Sequence, residues 1–265
     1  MKMNRVARAF TRARTEERTA VMPYVTAGDP ATTPFGALLV ALEKGGADII
    51  EIGIPFSDPI ADGPVIASAM YRALETGVSP GIVFDQIAAV RDELDVALVA
   101  MVSMSIVTTL EIDAFVKRAG ECGLDGLIVP DADLDDFLVL QNACRLEGLS
   151  LTPLVAPSCT PERIQRIVDQ ASGFVYLLAR AGVTGARAEV PDIEGRVQAI
   201  RDMTDLPIGV GFGISNGHHV AEVGRHADGA IVGSALVKHL HEVDLTGGDV
   251  LQAAESFVRE LRTGQ

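Results

Sequence analysis

Short apolar runs alternate with longer stretches of helical spacing along the whole chain. Residues 20–26 predict a first strand, closed by Ala27-Gly28-Asp29-Pro30. Residues 33–44 predict a helix, because Phe35, Leu38, Leu39 and Leu42 recur at helical spacing and Gly45-Gly46 ends them. A second strand covers 48–53. The next helix, 64–75, carries Ile66, Ala69, Met70 and Ala73 on one face. Ser79-Pro80 is a capping Ser followed by Pro at the first helical position, and starts a helix over 81–94. Further strands are expected at 96–102, 126–129, 150–155, 174–178, 207–211 and 229–232. They alternate with helices at 110–122, 135–147, 161–171, 192–203, 217–224 and 250–262. Residues 1–18 read as a short amphipathic helix with Val6 and Phe10 on one side. Eight strand–helix units of this kind predict the α/β class, a single (β/α)8 TIM barrel with a short N-terminal helix. An open doubly wound sheet is the alternative, and it usually has fewer strands at this length. No linker divides residues 1–265, so one domain is expected, and no repeat is evident at the level of residues.

The second strand departs from the pattern. Ile49-Ile50-Glu51-Ile52-Gly53-Ile54 is an apolar run, as in a strand buried on both faces, interrupted by one carboxylate. Burying a carboxylate is costly and raises its pKa, which suits a proton donor or acceptor near neutral pH. A structural ion pair is the plainer reading of such a residue. Here a stiff loop follows at once, with Pro55, Pro59, Gly63 and Pro64, and carries Asp58 and Asp62. In a barrel this loop lies on the catalytic face. Glu51 and Asp62 are therefore the acid–base candidates, and Asp58, between Ser57 and Pro59, is expected to stabilise the loop.

Composition narrows the chemistry. The net charge of −14 argues against a nucleic-acid surface, and an anionic substrate would have to be held locally, by backbone amides or a single Arg. No apolar run is fit to span a bilayer, and the N-terminus does not read as a signal peptide. Cys122, Cys144 and Cys159 lack metal spacing and read as reduced thiols in a cytoplasmic protein. Lys2, Lys44, Lys117 and Lys238 do not end strands, which disfavours a Schiff-base lysine. His218, His219, His226, His239 and His241 fall mostly on helices without metal-ligand spacing. No strand-end Ser or Cys has a plausible His base. Acid–base chemistry by carboxylates remains.

Two glycine-rich segments follow the last two expected strands: Gly209-Val210-Gly211-Phe212-Gly213-Ile214-Ser215 and Val232-Gly233-Ser234-Ala235. After neighbouring barrel strands, their backbone amides would converge on a phosphate without needing net positive charge. A dinucleotide loop would instead follow the first strand. Gly182-Val183-Thr184-Gly185 adds a flexible element on the same face that could act as a lid.

At these residues a family becomes recognisable. Glu51-Ile52-Gly53-Ile54-Pro55-Phe56-Ser57-Asp58-Pro59-Ile60-Ala61-Asp62-Gly63-Pro64 resembles the signature of the tryptophan synthase alpha chain. Pro23 to Pro30 is similar to that family's first strand and turn, and Tyr176-Leu177-Leu178 with Arg180 and 182–185 to its strand six and mobile loop. Gly211 to Ser215 and Gly233-Ser234-Ala235 resemble its phosphate-binding loops. The resemblance implies retro-aldol cleavage of indole-3-glycerol phosphate to indole and glyceraldehyde 3-phosphate. It makes Glu51 the residue that handles the glycerol hydroxyl proton and protonates the indole carbon, and Asp62 the acceptor of the indole N–H. Tyr24, Val155, Tyr176 and Phe212 would line the indole slot, although Val155 alone reads as ordinary core. Thr184 and Gly185 would close over the substrate, and Gly213, Gly233 and Ser234 would hold phosphate. The chain would need no cofactor of its own. Its expected partner is a PLP-dependent beta subunit in an α2β2 heterotetramer, and the PLP belongs to that partner.

Two segments depart from the family pattern. The usual Tyr and Asn after strand three are Ser103 and Ser105 here, and the usual Pro-Asp-Leu-Pro after strand four is Pro130-Asp131-Ala132-Asp133. These changes affect one wall of the indole slot and the partner interface. The alternatives to the lyase are another phosphate-binding barrel isomerase or lyase, and a non-catalytic activating subunit of a PLP enzyme.

Overall fold

Every strand in the computed structural model runs parallel to its neighbours, as crossovers through helices require. The structure describes residues 4–59, 62–179, 193–211 and 213–265. The strands are β1 (Ala20–Thr26), β2 (Ile49–Gly53), β3 (Ala97–Met101), β4 (Gly126–Ile128), β5 (Ser150–Thr152), β6 (Leu154–Val155), β7 (Val175–Leu178), β8 (Ile208–Gly211) and β9 (Gly229–Val232). Their order is β5-β4-β3-β2-β1-β9-β8-β7-β6. β5 and β6 are halves of one barrel strand, separated by Pro153, which has no N–H for a ladder. The Tyr176 N–H donates to the Pro153 carbonyl at 2.9 Å, so pairing continues across the break and the ring closes. The strand expected over 150–155 is thus two short ones, and the eight-stranded barrel stands.

The helices are α1 (Arg5–Thr15), α2 (Phe35–Gly45), α3 (Pro64–Glu75), α4 (Pro80–Val90), α5 (Met104–Thr109), α6 (Ile112–Glu121), α7 (Leu134–Glu147), α8 (Pro161–Val168), α9 (Glu194–Arg201), α10 (Gly217–Gly224), α11 (Ser234–Leu245) and α12 (Val250–Thr263). The expected helix over 81–94 ends at Val90 and continues as a 3-10 turn, Arg91–Glu93. The sequence reading lacked α5 and α11. α5 is one short stretch of mostly β-branched residues, Ile106, Val107, Thr108 and Thr109, which have weak helix preference. α11 starts directly after Gly233 and buries Leu236, Val237 and Leu240.

Alternation along the strands separates two cores. Residues such as Val21, Ile50, Ile52, Leu98, Leu127, Leu177 and Val210 face outward and pack under the helices. Met22, Ile49, Val99, Ile128, Phe174 and Ile231 face inward and fill the barrel. α1 closes the N-terminal end by inserting Val6, Ala9, Phe10 and Ala13 into the inner core.

Ion pairs fix that plug, and they reveal a repeat. Asp48, Asp125 and Asp228 each stand one residue before a strand, β2, β4 and β9 respectively. Each carboxylate accepts an N–H from the start of the neighbouring strand: Val21 at 2.9 Å, Leu98 at 3.0 Å and Ile208 at 2.9 Å. Each also takes an arginine of α1: Arg12 at 3.0 Å, Arg5 at 3.3 Å and Arg14 at 3.4 Å. Before β7 the corresponding acceptor is Ser172, whose hydroxyl oxygen receives the Leu151 N–H at 2.9 Å. A similar contact therefore recurs on alternate barrel strands, although no repeat is evident in the sequence itself. The recurring elements are single side chains about forty or more residues apart, set in otherwise unlike segments. Asp48 is the most enclosed: its side chain has no exposure, and Arg18 binds it through two nitrogens at 2.6 and 2.8 Å. Removing one partner of a buried pair strands the other charge. Asp48→Ala is expected to cost about 3 kcal/mol in urea denaturation, whereas a loss below about 1 kcal/mol would mean that the pair is dispensable.

Candidate active site

Inward parity along β2 makes Ile49, Glu51 and Gly53 face the barrel axis. Ile49 sits in the inner core, and Glu51 one layer higher, beside Tyr24 of β1 and Val99 of β3 in register. Glu51 is only 1% exposed, and neither carboxylate oxygen has a hydrogen-bond partner among the described residues. Burial, and behind it the charge of Asp62, raises its pKa to about 8. At neutral pH this carboxyl therefore holds its proton.

Asp62 lies in the loop after β2, just before Gly63 caps α3, and its N–H donates to the Pro59 carbonyl at 3.1 Å. It is half-buried, and desolvation raises its pKa to about 6. The two acids thus occupy different protonation states near pH 7, one neutral and one mostly ionised. Such a split suits two carboxylates to different roles in one site. Asp58 is exposed and makes no hydrogen bond or ion pair among the described residues.

Two glycines make room for two tyrosines. A Cβ on Gly53 would stand 2.0 Å from the Tyr24 hydroxyl oxygen, and one on Gly211 would stand 2.4 Å from that of Tyr176. Both rings are buried at the upper end of the barrel. Burial, then the Asp62 charge, keeps the Tyr24 hydroxyl un-ionised; for Tyr176 the causes are burial, then Glu51 and Asp62. Tyr24 packs with Ile66, Ala69, Met70 and Val237, which ties β1 to α3 and α11. Val155 belongs to the outer core beneath the helices, in keeping with its reading as ordinary packing.

A cleft of about 500 Å3 opens beside Asp62, walled by Ile54, Phe56, Met70, Met101 and Val102. Its far side is polar and is built by the two segments that depart from the family pattern. The Ser103 hydroxyl donates to Asp131 at 2.7 Å, and the Met104 N–H donates to the same carboxylate at 2.8 Å. Ser103 and Asp131 therefore join the loops after β3 and β4. Asp133, in the second of these segments, caps α7 by accepting the Asp135 and Asp136 N–H groups. The sequence reading put Met70 on the apolar face of its helix and gave neither Met70 nor Met101 a place in the site. The parity of β3, with Ala97, Val99 and Met101 on one face, was the available signal for the latter.

β8 and β9 are adjacent, so the glycine segments after them share one part of the C-terminal face. Gly213 has φ 81°, and a Cβ there would meet nothing within 4 Å, so its backbone is open to an approaching group. Gly233 precedes α11 and offers no side-chain cap, which leaves the first-turn amides from Ser234 onward available. α10 differs: Asn216 caps it by accepting the His219 N–H at 2.9 Å. The start of α11 and Gly213 thus both leave backbone suited to an anion. Thr184, Gly185 and Phe212 lie outside the described residues, as does the segment expected to act as a lid. Among the described residues no group of three or more His, Cys, Asp or Glu side chains converges as a metal site.

Fold and site together define a (β/α)8-barrel enzyme with two carboxylates near the C-terminal end of β2, Glu51 on the strand and Asp62 in the loop after it. Residues 10–264 match the family described as tryptophan synthase alpha chain. The alpha chain of Methanosarcina mazei is 43% identical over 267 residues, covering 100% of this chain and 95% of that one. Tryptophan synthase from Mycobacterium tuberculosis superposes with a TM-score of 0.89 at 35% identity, over 99% of this chain and 98% of that one. Tryptophan synthase subunit alpha from Legionella pneumophila gives 0.91 at 31% identity, over 99% and 98%. The chain belongs to the tryptophan synthase alpha chain family.

Proposed function

We propose that Glu51 and Asp62 carry out the family's reaction in this chain. That reaction is the carbon–carbon lyase step of tryptophan biosynthesis, which cleaves indole-3-glycerol phosphate to indole and glyceraldehyde 3-phosphate. The observation that carries the assignment is the buried, unpartnered carboxyl of Glu51 beside a second acid with a lower pKa. Glu51 begins protonated and gives its proton to indole C3. The positive charge that develops on the ring nitrogen faces the Asp62 carboxylate, which also accepts the N–H. Glu51, now a carboxylate, takes the proton of the neighbouring glycerol hydroxyl. The bond from indole C3 to that carbon breaks, its electron pair restores the indole ring, and the hydroxyl carbon becomes the aldehyde. The phosphate rests on the amides of Gly213, Gly233 and Ser234. The aromatic end extends across the barrel mouth, between Tyr24 and Tyr176, toward the cleft at β3. Phe212, Thr184 and Gly185 complete the contacts.

The chain acts as one domain and uses no cofactor of its own. Its partner is a PLP-bearing beta subunit in an α2β2 heterotetramer, and the Ser103–Asp131 junction lies on the face offered to it. Among the described residues no helix is long and apolar enough to cross a membrane, and we place the protein in the cytoplasm.

The test is indole release from indole-3-glycerol phosphate by the chain alone and with a beta subunit added. Slow release that accelerates with the partner is expected. No release in either case would overturn the lyase assignment. The pH dependence of kcat/KM is expected to be bell-shaped, with Asp62 ionising near 6 on the acid limb and Glu51 losing its proton near 8 on the basic limb.

A further inference from the structure

We infer that His219 is a positioning residue that holds the described stretch 213–216, after β8, in its phosphate-binding shape. This inference rests on the phosphate site proposed above and adds what orients it. Gly213 can present its amide only while the loop keeps the left-handed backbone at that residue. Among the described residues three hydrogen bonds fasten the loop's later part: the Val220 N–H donates to the Asn216 carbonyl at 3.2 Å, and the other two end on His219. Its ring Nδ1 lies 3.3 Å from the Ser215 hydroxyl, and its backbone N–H donates to the Asn216 side chain at 2.9 Å.

His219 is well placed for this work. It is 5% exposed, lies on the inner side of α10 with Val220 and Val223, and belongs to a helix whose first residue abuts the chain's last turn: a Cβ on Gly217 would stand 2.6 Å from the Gly264 Cα. The anchor is therefore firmly held. The ring Nδ1 and the Ser215 hydroxyl share one hydrogen bond, which a hydroxyl can give or receive. The main-chain bond to Asn216 survives any substitution at 219 except proline. The ring contact to Ser215 does not. Removing the ring thus frees the stretch between Gly213 and Ser215 without unseating the helix. His219 touches none of the reacting atoms, and its effect is confined to the phosphate end of the substrate.

The experiment compares two small probes, glycerol 3-phosphate and free indole, by calorimetry on the full chain. His219→Ala is expected to weaken glycerol 3-phosphate about fivefold, the size of one neutral hydrogen bond, and to leave indole affinity within about twofold. KM for indole-3-glycerol phosphate should rise in step, with the change in kcat smaller than the change in KM. His219→Asn, whose side-chain amide can replace Nδ1 as donor or acceptor, should restore phosphate affinity to within about twofold. Ser215→Ala should reproduce the alanine effect, and the double variant should be no worse than either single one. Equal weakening of both probes would mean general damage to the fold and would overturn the inference. So would an unchanged glycerol 3-phosphate affinity, or an asparagine variant as weak as alanine. If the unaltered chain binds indole but not glycerol 3-phosphate, the phosphate site itself is wrong and the inference falls with it.

Discussion

Glu51→Gln is expected to lower indole release by about ten-thousandfold, the upper range for loss of a general acid–base group, while affinity for a glycerol phosphate ligand stays nearly unchanged. The amide keeps the size and shape of the side chain and removes its proton chemistry. It should also change stability in a way that ordinary damage would not. The carboxyl titrates near 4.5 when unfolded and near 8 in the barrel. Below pH 4.5 it is protonated in both states. Between the two values the unfolded chain releases the proton and the folded chain keeps it, so stability falls as pH rises through that window, by on the order of a few kcal/mol. The glutamine variant lacks this slope. It should match the unaltered protein near pH 5 and exceed it at pH 8, as measured by urea unfolding. Substantial remaining turnover would remove Glu51 from the mechanism, and a variant less stable at pH 8 would refute its buried, unpaired state.

Asp62→Asn is expected to reduce kcat/KM by about a thousandfold, because the ring cation would form beside a neutral amide instead of a carboxylate. The same change reaches Glu51. The Asp62 charge is the second cause of the raised Glu51 pKa, after burial, so its removal should move the basic limb of the pH profile downward. Burial persists, and the limb should therefore stay well above the ordinary carboxylate range. The acid limb, assigned to Asp62, should disappear. A variant with low activity but an unshifted basic limb would mean that the two acids do not sense one another, and their division of roles would fail.

Much of this was readable before the structure, for reasons that differ by element. α3 and α10 fall at the expected limits because Pro64 at the first helical position and the glycines at 217 and 224 mark their ends locally. Glu51 was conspicuous because a carboxylate in an apolar strand contradicts its surroundings. What escaped depended on long-range geometry. The break at Pro153 became a strand junction only because β4 and β7 pair on either side of it. α11 was lost because Gly233-Ser234 reads as a loop motif, and the helix that supplies its free amides begins inside that motif. The repeat of Asp48, Asp125 and Asp228 is visible only when α1 is seen to meet all three. The clash distances that seat Tyr24 over Gly53 and Tyr176 over Gly211 depend on strand register, which no local pattern states. Ser103 and Ser105 stood out as departures, but the bond from Ser103 to Asp131 needed β3 and β4 side by side.

The central claim is that the barrel keeps a proton on Glu51 at neutral pH. Its most direct test is the infrared carboxyl band of Glu51, isolated as the difference between the unaltered chain and Glu51→Gln from pH 4 to 9. The expected result is a protonated carboxyl at pH 7 with a midpoint near 8. A carboxylate already ionised at pH 6, with a midpoint near the ordinary 4.5, would contradict the account.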